Sequence, residues 1–242
     1  MHLPPRAARA TLAVLALPLF LTACGPLGDS SATSSSSDVA PATSPAATSK
    51  APDAGLPTGT RLKRALAPAS FFPPGFVSDP GATRDTGDTY AQPTTRSAAK
   101  PDCGALEGTA WVGVTGIGGV SFAQGDYVDK ATSAEIAQEI DVYRGTTAAT
   151  VLKDVEKVAA ACASFTDSDT QSRVRARGRA TAGLGDEAYT ITLTDSSWEN
   201  GTTLIAVRRG TAVITVLSTD GHDDGAATAK KLARRITGSL VA

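Results

Sequence analysis

The chain has 242 residues, of which 41% are hydrophobic, 19% charged and 5% aromatic, and its formal net charge is −1. This is a globular balance with enough chain for one sizeable core, and it argues against the strongly basic surface of a nucleic-acid binder. Three Cys and two His leave little material for metal or thiol chemistry, and no cofactor is expected.

Arg6 and Arg9 precede an apolar run, Ala10 to Phe20, broken only by Thr11 and Pro18. At about 11 residues the run is too short to span a bilayer and has the length of a signal peptide. It ends in Leu21-Thr22-Ala23-Cys24-Gly25, which resembles a bacterial lipobox. On that reading residues 1–23 are a lipoprotein signal peptide. Cys24 becomes the acylated first residue of the mature protein, lipid-anchored on the outer face of the cell membrane. The alternative is a plain secretory peptide with an incidental Cys. Cleavage removes two Arg, His2 and no acid, so the mature chain carries 21 Lys and Arg against 24 Asp and Glu, a formal −3.

Residues 24–59 read as a disordered linker. Of the 35 residues from Gly25 to Gly59, 28 are Ser, Ala, Thr, Pro or Gly, too few apolar groups to offset the entropy of ordering. As a flexible coil the linker reaches on the order of 30 Å.

Residues 60–242 read as a single domain. Leu62, Ala65 and Leu66 mark a short helix that Pro73-Pro74-Gly75-Phe76 ends, launching an extended piece. Residues 79–102 lack a pattern and are expected as a long loop. Cys103 to Leu106 forms a helical turn. Gly113, Gly116, Gly118 and Gly119 lead irregularly into a strand around Val120 to Tyr127. Glu135 to Tyr143 is a strand with Ile136, Ile140 and Val142 on one face. Thr146 or Thr147 caps a helix over 148–163, whose apolar face is Val151, Leu152, Val155, Ala159 and Cys162. Gln171 to Arg177 and Glu187 to Thr194 alternate as strands. Asn200-Gly201 signals a hairpin turn. Thr203 to Arg208 and Ala212 to Ser218 pair across Arg209-Gly210. Asp223 or Asp224 caps a last helix over 226–240, with Ala229, Leu232, Ala233, Ile236 and Leu240 inward and Lys230, Lys231, Arg234 and Arg235 outward. The fold class is α+β: an antiparallel sheet with flanking helices, expected on one face.

With Cys24 acylated, Cys103 and Cys162 remain. An even pair in an oxidising compartment is read as a disulfide; the alternative is two buried thiols. The segments Leu66 through Pro74-Gly75-Phe76, Asp102-Cys103-Gly104-Ala105-Leu106, Ala159 to Phe165, Gly183-Leu184-Gly185-Asp186-Glu187-Ala188 and Val207 to Val213 together resemble the PknH-like extracellular sensor domains of actinobacterial secreted lipoproteins and receptors. The resemblance covers most of residues 60–242. It implies an antiparallel sheet with flanking helices, a cleft, and sensing or binding outside the cell.

Most polar motifs have plain readings. His222, in His222-Asp223-Asp224, is a loop residue before a helix cap. Gly113 to Gly119 lacks the Lys-Ser/Thr of a phosphate loop. Asp167-Ser168-Asp169 lacks the remaining ligands of a calcium loop and reads as a turn. Asn200-Gly201-Thr202 fits a glycosylation triplet but is better explained by a turn. Asp186 and Glu187 face opposite sides of a strand and make a poor acid/base pair. Arg173, Arg175 and Arg177 are the exception, since they line one face of a strand and Arg179 extends the row. Either they form a solvated face or pair with Glu135, Glu139 and Asp141 on a neighbouring strand, or they form an anion-binding stripe for an anionic cell-wall component or envelope lipid. The favoured function is a non-catalytic binding or sensor-like domain. The alternatives are a carrier or chaperone for an envelope lipid or glycolipid, and a hydrolase, for which a His-based machinery is lacking.

Overall fold

Alternation in the second half of the chain builds one side of a large sheet, and the first half completes it. The computed structural model describes residues 52–96, 101–168 and 170–240, all within one compact unit, Ser49–Ala242. Cys24, the signal segment and most of the linker lie outside the described residues. The strands are β1 (Phe76–Asp85), β2 (Ser121–Asp129), β3 (Ala134–Val142), β4 (Ser164–Thr166), β5 (Arg173–Ala180), β6 (Glu187–Thr194), β7 (Thr202–Arg209) and β8 (Ala212–Ser218). They form one antiparallel sheet in the order β1-β2-β3-β8-β7-β6-β5-β4. Two meanders, of three and five strands, therefore meet where β3 pairs with β8. The helices are α1 (Gly59–Ala65), α2 (Val112–Thr115), α3 (Thr147–Ala161) and α4 (Ala226–Ser239), with short 3₁₀ turns at Ala69–Phe71 and Cys103–Glu107. Among the described residues no helix is long and apolar enough to cross a membrane.

The helices cover both faces of the sheet, not one. Leu62 and Ala65 of α1 and Leu232, Ala233 and Ile236 of α4 pack with Ile136, Ile140, Ile205, Val207, Ile214 and Val216. Val151, Leu152 and Val155 of α3 pack on the other face with Trp111, Ile191, Leu193, Leu204 and Val213. The cause is composition: every residue of β8 is buried, and a strand apolar on both sides needs cover on both. Each fully buried Leu or Ile contributes about 1.5–3 kcal/mol.

The upstream chain is tied down before Thr60. Arg144 donates two hydrogen bonds of 2.7 Å to the Asp53 carboxylate, which holds that carboxyl below its usual range. Ser121 Oγ donates to the Pro57 carbonyl at 2.7 Å, and Leu56 packs against the α1/α4 core. Gln138, buried on β3, clamps the end of α1 by accepting from Ala67 N at 2.8 Å and donating to Ala67 O at 3.1 Å.

Three local expectations change. Residues 79–85 continue β1 instead of starting a loop, because β2 supplies the backbone partners; the register breaks between Asp79 and Arg84, where Pro80 and Gly81 sit. The β6–β7 connection runs over residues 195–201 and is not a two-residue Asn-Gly turn. Asp195 folds it by accepting from Ser197 N at 2.7 Å, and Gly201 lies so close to Leu193 O that a Cβ would stand 2.5 Å away. The β7–β8 turn is the tight one, with Gly210 at φ +58°, which suits glycine in a two-residue hairpin. At α3, Thr146 makes no side-chain capping bond. At α4, Asp223 Oδ2 accepts from Ala227 N at 2.8 Å, while Asp224 accepts from Gly201 N and pins the β6–β7 loop.

Candidate functional site

Strand β5 carries the row. Val174 and Ala176 enter the core beneath α3, so Arg173, Arg175, Arg177 and Arg179 project from the opposite face, the side that also carries α1 and α4. All four are exposed. Alternate residues on a strand stand about 6.7 Å apart, so Arg173 to Arg177 covers about 13 Å. Arg175, Arg177 and Arg179 lie opposite Thr194, Thr192 and Thr190 of β6, and Thr192 lies opposite Thr203 of β7. A strip of guanidinium forks is thereby flanked by a strip of hydroxyls. Among the described residues the sheet continues beyond the row only as the three-residue edge strand β4, where Ser164 Oγ accepts from Arg173 Nε at 2.8 Å.

The pairing with Glu135, Glu139 and Asp141 is ruled out by strand order. Strands β6, β7 and β8 separate β5 from β3, a distance of about 19 Å at normal strand spacing. Glu139 and Asp141 also project to the other face, against the α3 side. Among the described residues no carboxylate forms an ion pair with any of the four arginines. Planar guanidinium groups without a carboxylate partner, beside hydroxyl donors, suit recognition of phosphate or carboxylate.

The sequence reading missed a second cluster. Glu139 and Asp141 are buried together beneath the 103–119 segment, and Thr109 Oγ1 donates to Glu139 Oε2 at 2.6 Å. Burial pushes both carboxyls up, Asp141 far above its usual range with the Glu139 charge adding to the effect. Both carboxyls therefore give up their protons at higher pH than free carboxylates do. On β2, Asp126 is raised to about 7, chiefly by burial and then by the charges of Glu135, Glu139 and Asp79. Glu139 is 4% and Asp141 9% exposed, which closes the pair to a substrate and makes it a structural element. In sequence its Glu-x-Asp spacing looks like the solvated side of an alternating strand. The covering segment that buries it comes from 20 or more residues upstream, with no periodicity to announce its position.

Other flagged residues fall into structural roles. Cys103 and Cys162 form a disulfide with Cα atoms 5.5 Å apart, joining the 3₁₀ turn that opens the covering segment to the end of α3. Asp186 accepts from Arg208 at 3.2 Å, Arg209 at 3.0 Å and Gly210 N at 2.7 Å, and these partners hold its carboxyl low, the Gly210 bond most of all. Glu187 pairs with Arg208 at 3.5 Å. Asp167 accepts from Thr170 N at 2.7 Å within the β4–β5 turn; Asp169 lies outside the described residues. His222 is exposed in the turn before α4. Among the described residues no group of three His, Cys, Asp or Glu is placed to hold a metal ion. No family model and no curated protein matches the chain.

Proposed function

We propose that the protein is a lipid-anchored, non-catalytic binding domain on the outer face of the cell membrane, of the PknH-like extracellular kind, and that Arg173, Arg175 and Arg177 form its anion-binding strip. The observation that carries this reading is the row itself: exposed arginines on one strand, without carboxylate partners among the described residues, beside a row of threonines. Its ligand is an envelope component bearing phosphate or carboxylate groups. The carrier alternative requires an enclosed apolar cavity, whereas the groove lined by Phe71, Lys230, Lys231, Arg234 and Arg235 is open and cationic. The test is binding of the purified protein to anionic cell-wall fractions and envelope lipids. Binding should weaken as the Debye length falls from about 10 Å at 0.1 M salt to about 3 Å at 1 M. Replacing Arg173, Arg175 and Arg177 together by Gln should abolish it with an unchanged melting temperature, since exposed charges contribute little to stability. A triple variant that binds as well as wild type at low salt would end this reading.

A further inference from the structure

We infer that the outward face of α4, with Phe71 beside it, docks on the anionic lipid headgroups of the bilayer that carries the anchor; this rests on the reading of Cys24 as acylated. Helix α4 buries Ala229, Leu232, Ala233 and Ile236 and exposes Lys230, Lys231, Arg234 and Arg235. Four cations thus occupy six consecutive residues with no acid among them, in a chain whose formal charge is only −1. Among the described residues none of the four forms an ion pair. Phe71 lines the same groove as these cations, half-buried, with Lys231 Nζ 5.2 Å from its ring centre. An aromatic edge among cations suits the boundary between headgroups and acyl chains.

The position of the upstream chain chooses lipid over other polyanions. Leu56 packs in the same core as Leu232 and Ile236, so the segment arriving from Cys24 joins the domain on the α1/α4 side of the sheet. The anchor therefore keeps a bilayer within about 30 Å of flexible coil of that side. Arg61 and Arg64 of α1 are exposed on that side too, while Lys63 is paired with Asp85 at 3.2 Å. Asp220, Asp223 and Asp224 stand at the N-terminal end of α4, where Asp220 accepts from Thr228, Asp223 from Ala227 N and Asp224 from Gly201 N. A multiply acylated Cys24 holds the protein at the membrane by itself, and a basic patch adds a headgroup contact that depends on anionic lipid. Docking by α4 sets the Arg173–Arg177 row towards the same headgroup layer.

The experiment uses the full acylated protein on two kinds of vesicle, phosphatidylcholine alone and phosphatidylcholine with about 30% phosphatidylglycerol, with lysine acetylation read by mass spectrometry. On the anionic vesicles labelling of Lys230 and Lys231 should fall about threefold or more and recover at about 1 M salt. Lys153, exposed on α3 across the sheet, should label equally on both. Arg234→Gln with Arg235→Gln should weaken the protection of Lys230. Equal labelling of Lys230 on both vesicle types overturns the docking. So does protection by a soluble anionic polymer, polyglutamate, but not by anionic vesicles. Failure to float with the neutral vesicles overturns the anchor instead, which separates the two readings.

Discussion

Replacing Asp126 by Asn should stabilise the protein above neutral pH and leave it unchanged in acid. Asp126 is half-buried on β2, directly opposite Asp79 of β1, and its Oδ1 is buried without a hydrogen bond among the described residues. Burial first, then the charges of Glu135, Glu139 and Asp79, raise its carboxyl from 3.8 to about 7, with Gln124 opposing. The folded state therefore holds a proton that the unfolded state has released between about pH 4 and pH 7. Stability from this group is complete below pH 4 and falls as pH rises through 7. Lifting a carboxyl that far corresponds to about 4 kcal/mol; partial solvent contact reduces this to about 2 kcal/mol. Asn keeps the shape and cannot ionise. Urea unfolding, followed by the fluorescence of buried Trp111, should place the variant level with wild type at pH 4. It should be about 2 kcal/mol more stable at pH 8, or about 4–8 °C higher in melting temperature for a domain of this size. A difference between the two proteins that is the same at both pH values would refute the reasoning, because ionisation would then not be its source.

Two further outcomes follow from the covalent features. Replacing Cys103 and Cys162 together by Ala opens a loop with a sequence separation of 59, and unfolding free energy should fall by about 4 kcal/mol in the chain-entropy model; a loss below about 1 kcal/mol in denaturant titration would contradict that model here. Cys24→Ala should abolish acylation and send the protein to the medium or leave it unprocessed, as read by metabolic labelling with a fatty acid, and normal processing with unchanged membrane retention would count against the anchor.

What the sequence discloses depends on how local its cause is. Helices α3 and α4 and strands β6 to β8 are legible because their apolar spacing is contained within each segment. Strand β1 is legible only at its start, where Phe76 launches an extended piece; residues 79–85 are not, because they lie at the sheet's edge, with Pro80 and Gly81 among them, and their order comes from the β2 backbone. The covering of both faces is present in the unbroken burial of Ala212 to Ser218, yet alternation elsewhere in the sheet suggests one wet side. Among site residues, the shared face of Arg173, Arg175 and Arg177 is legible from period two alone. Their distance from Glu139 and Asp141 is not, since it follows from β3 pairing with β8 across 70 or more residues.

That non-local pairing also sorts the charges. The pairing of β3 with β8 places Glu139 and Asp141 on the third of eight strands and turns them inward towards the α3 side, where burial pushes both carboxyls up. The β5 arginines and the α4 cations are exposed on the other side. A net charge near zero gives the domain no long-range attraction to an anionic surface. At physiological salt, however, a surface feels only charges within about 8 Å, and over that range the α1/α4 side presents cations while the buried acids are out of reach. Orientation at a membrane is then set by the local basic side, whatever the sign of the total. Removing the Asp126 charge should therefore alter stability and leave headgroup binding as it was, whereas removing Arg234 and Arg235 should do the reverse. If the two variants changed both properties together, charge sorting across the sheet would not be what orients the domain.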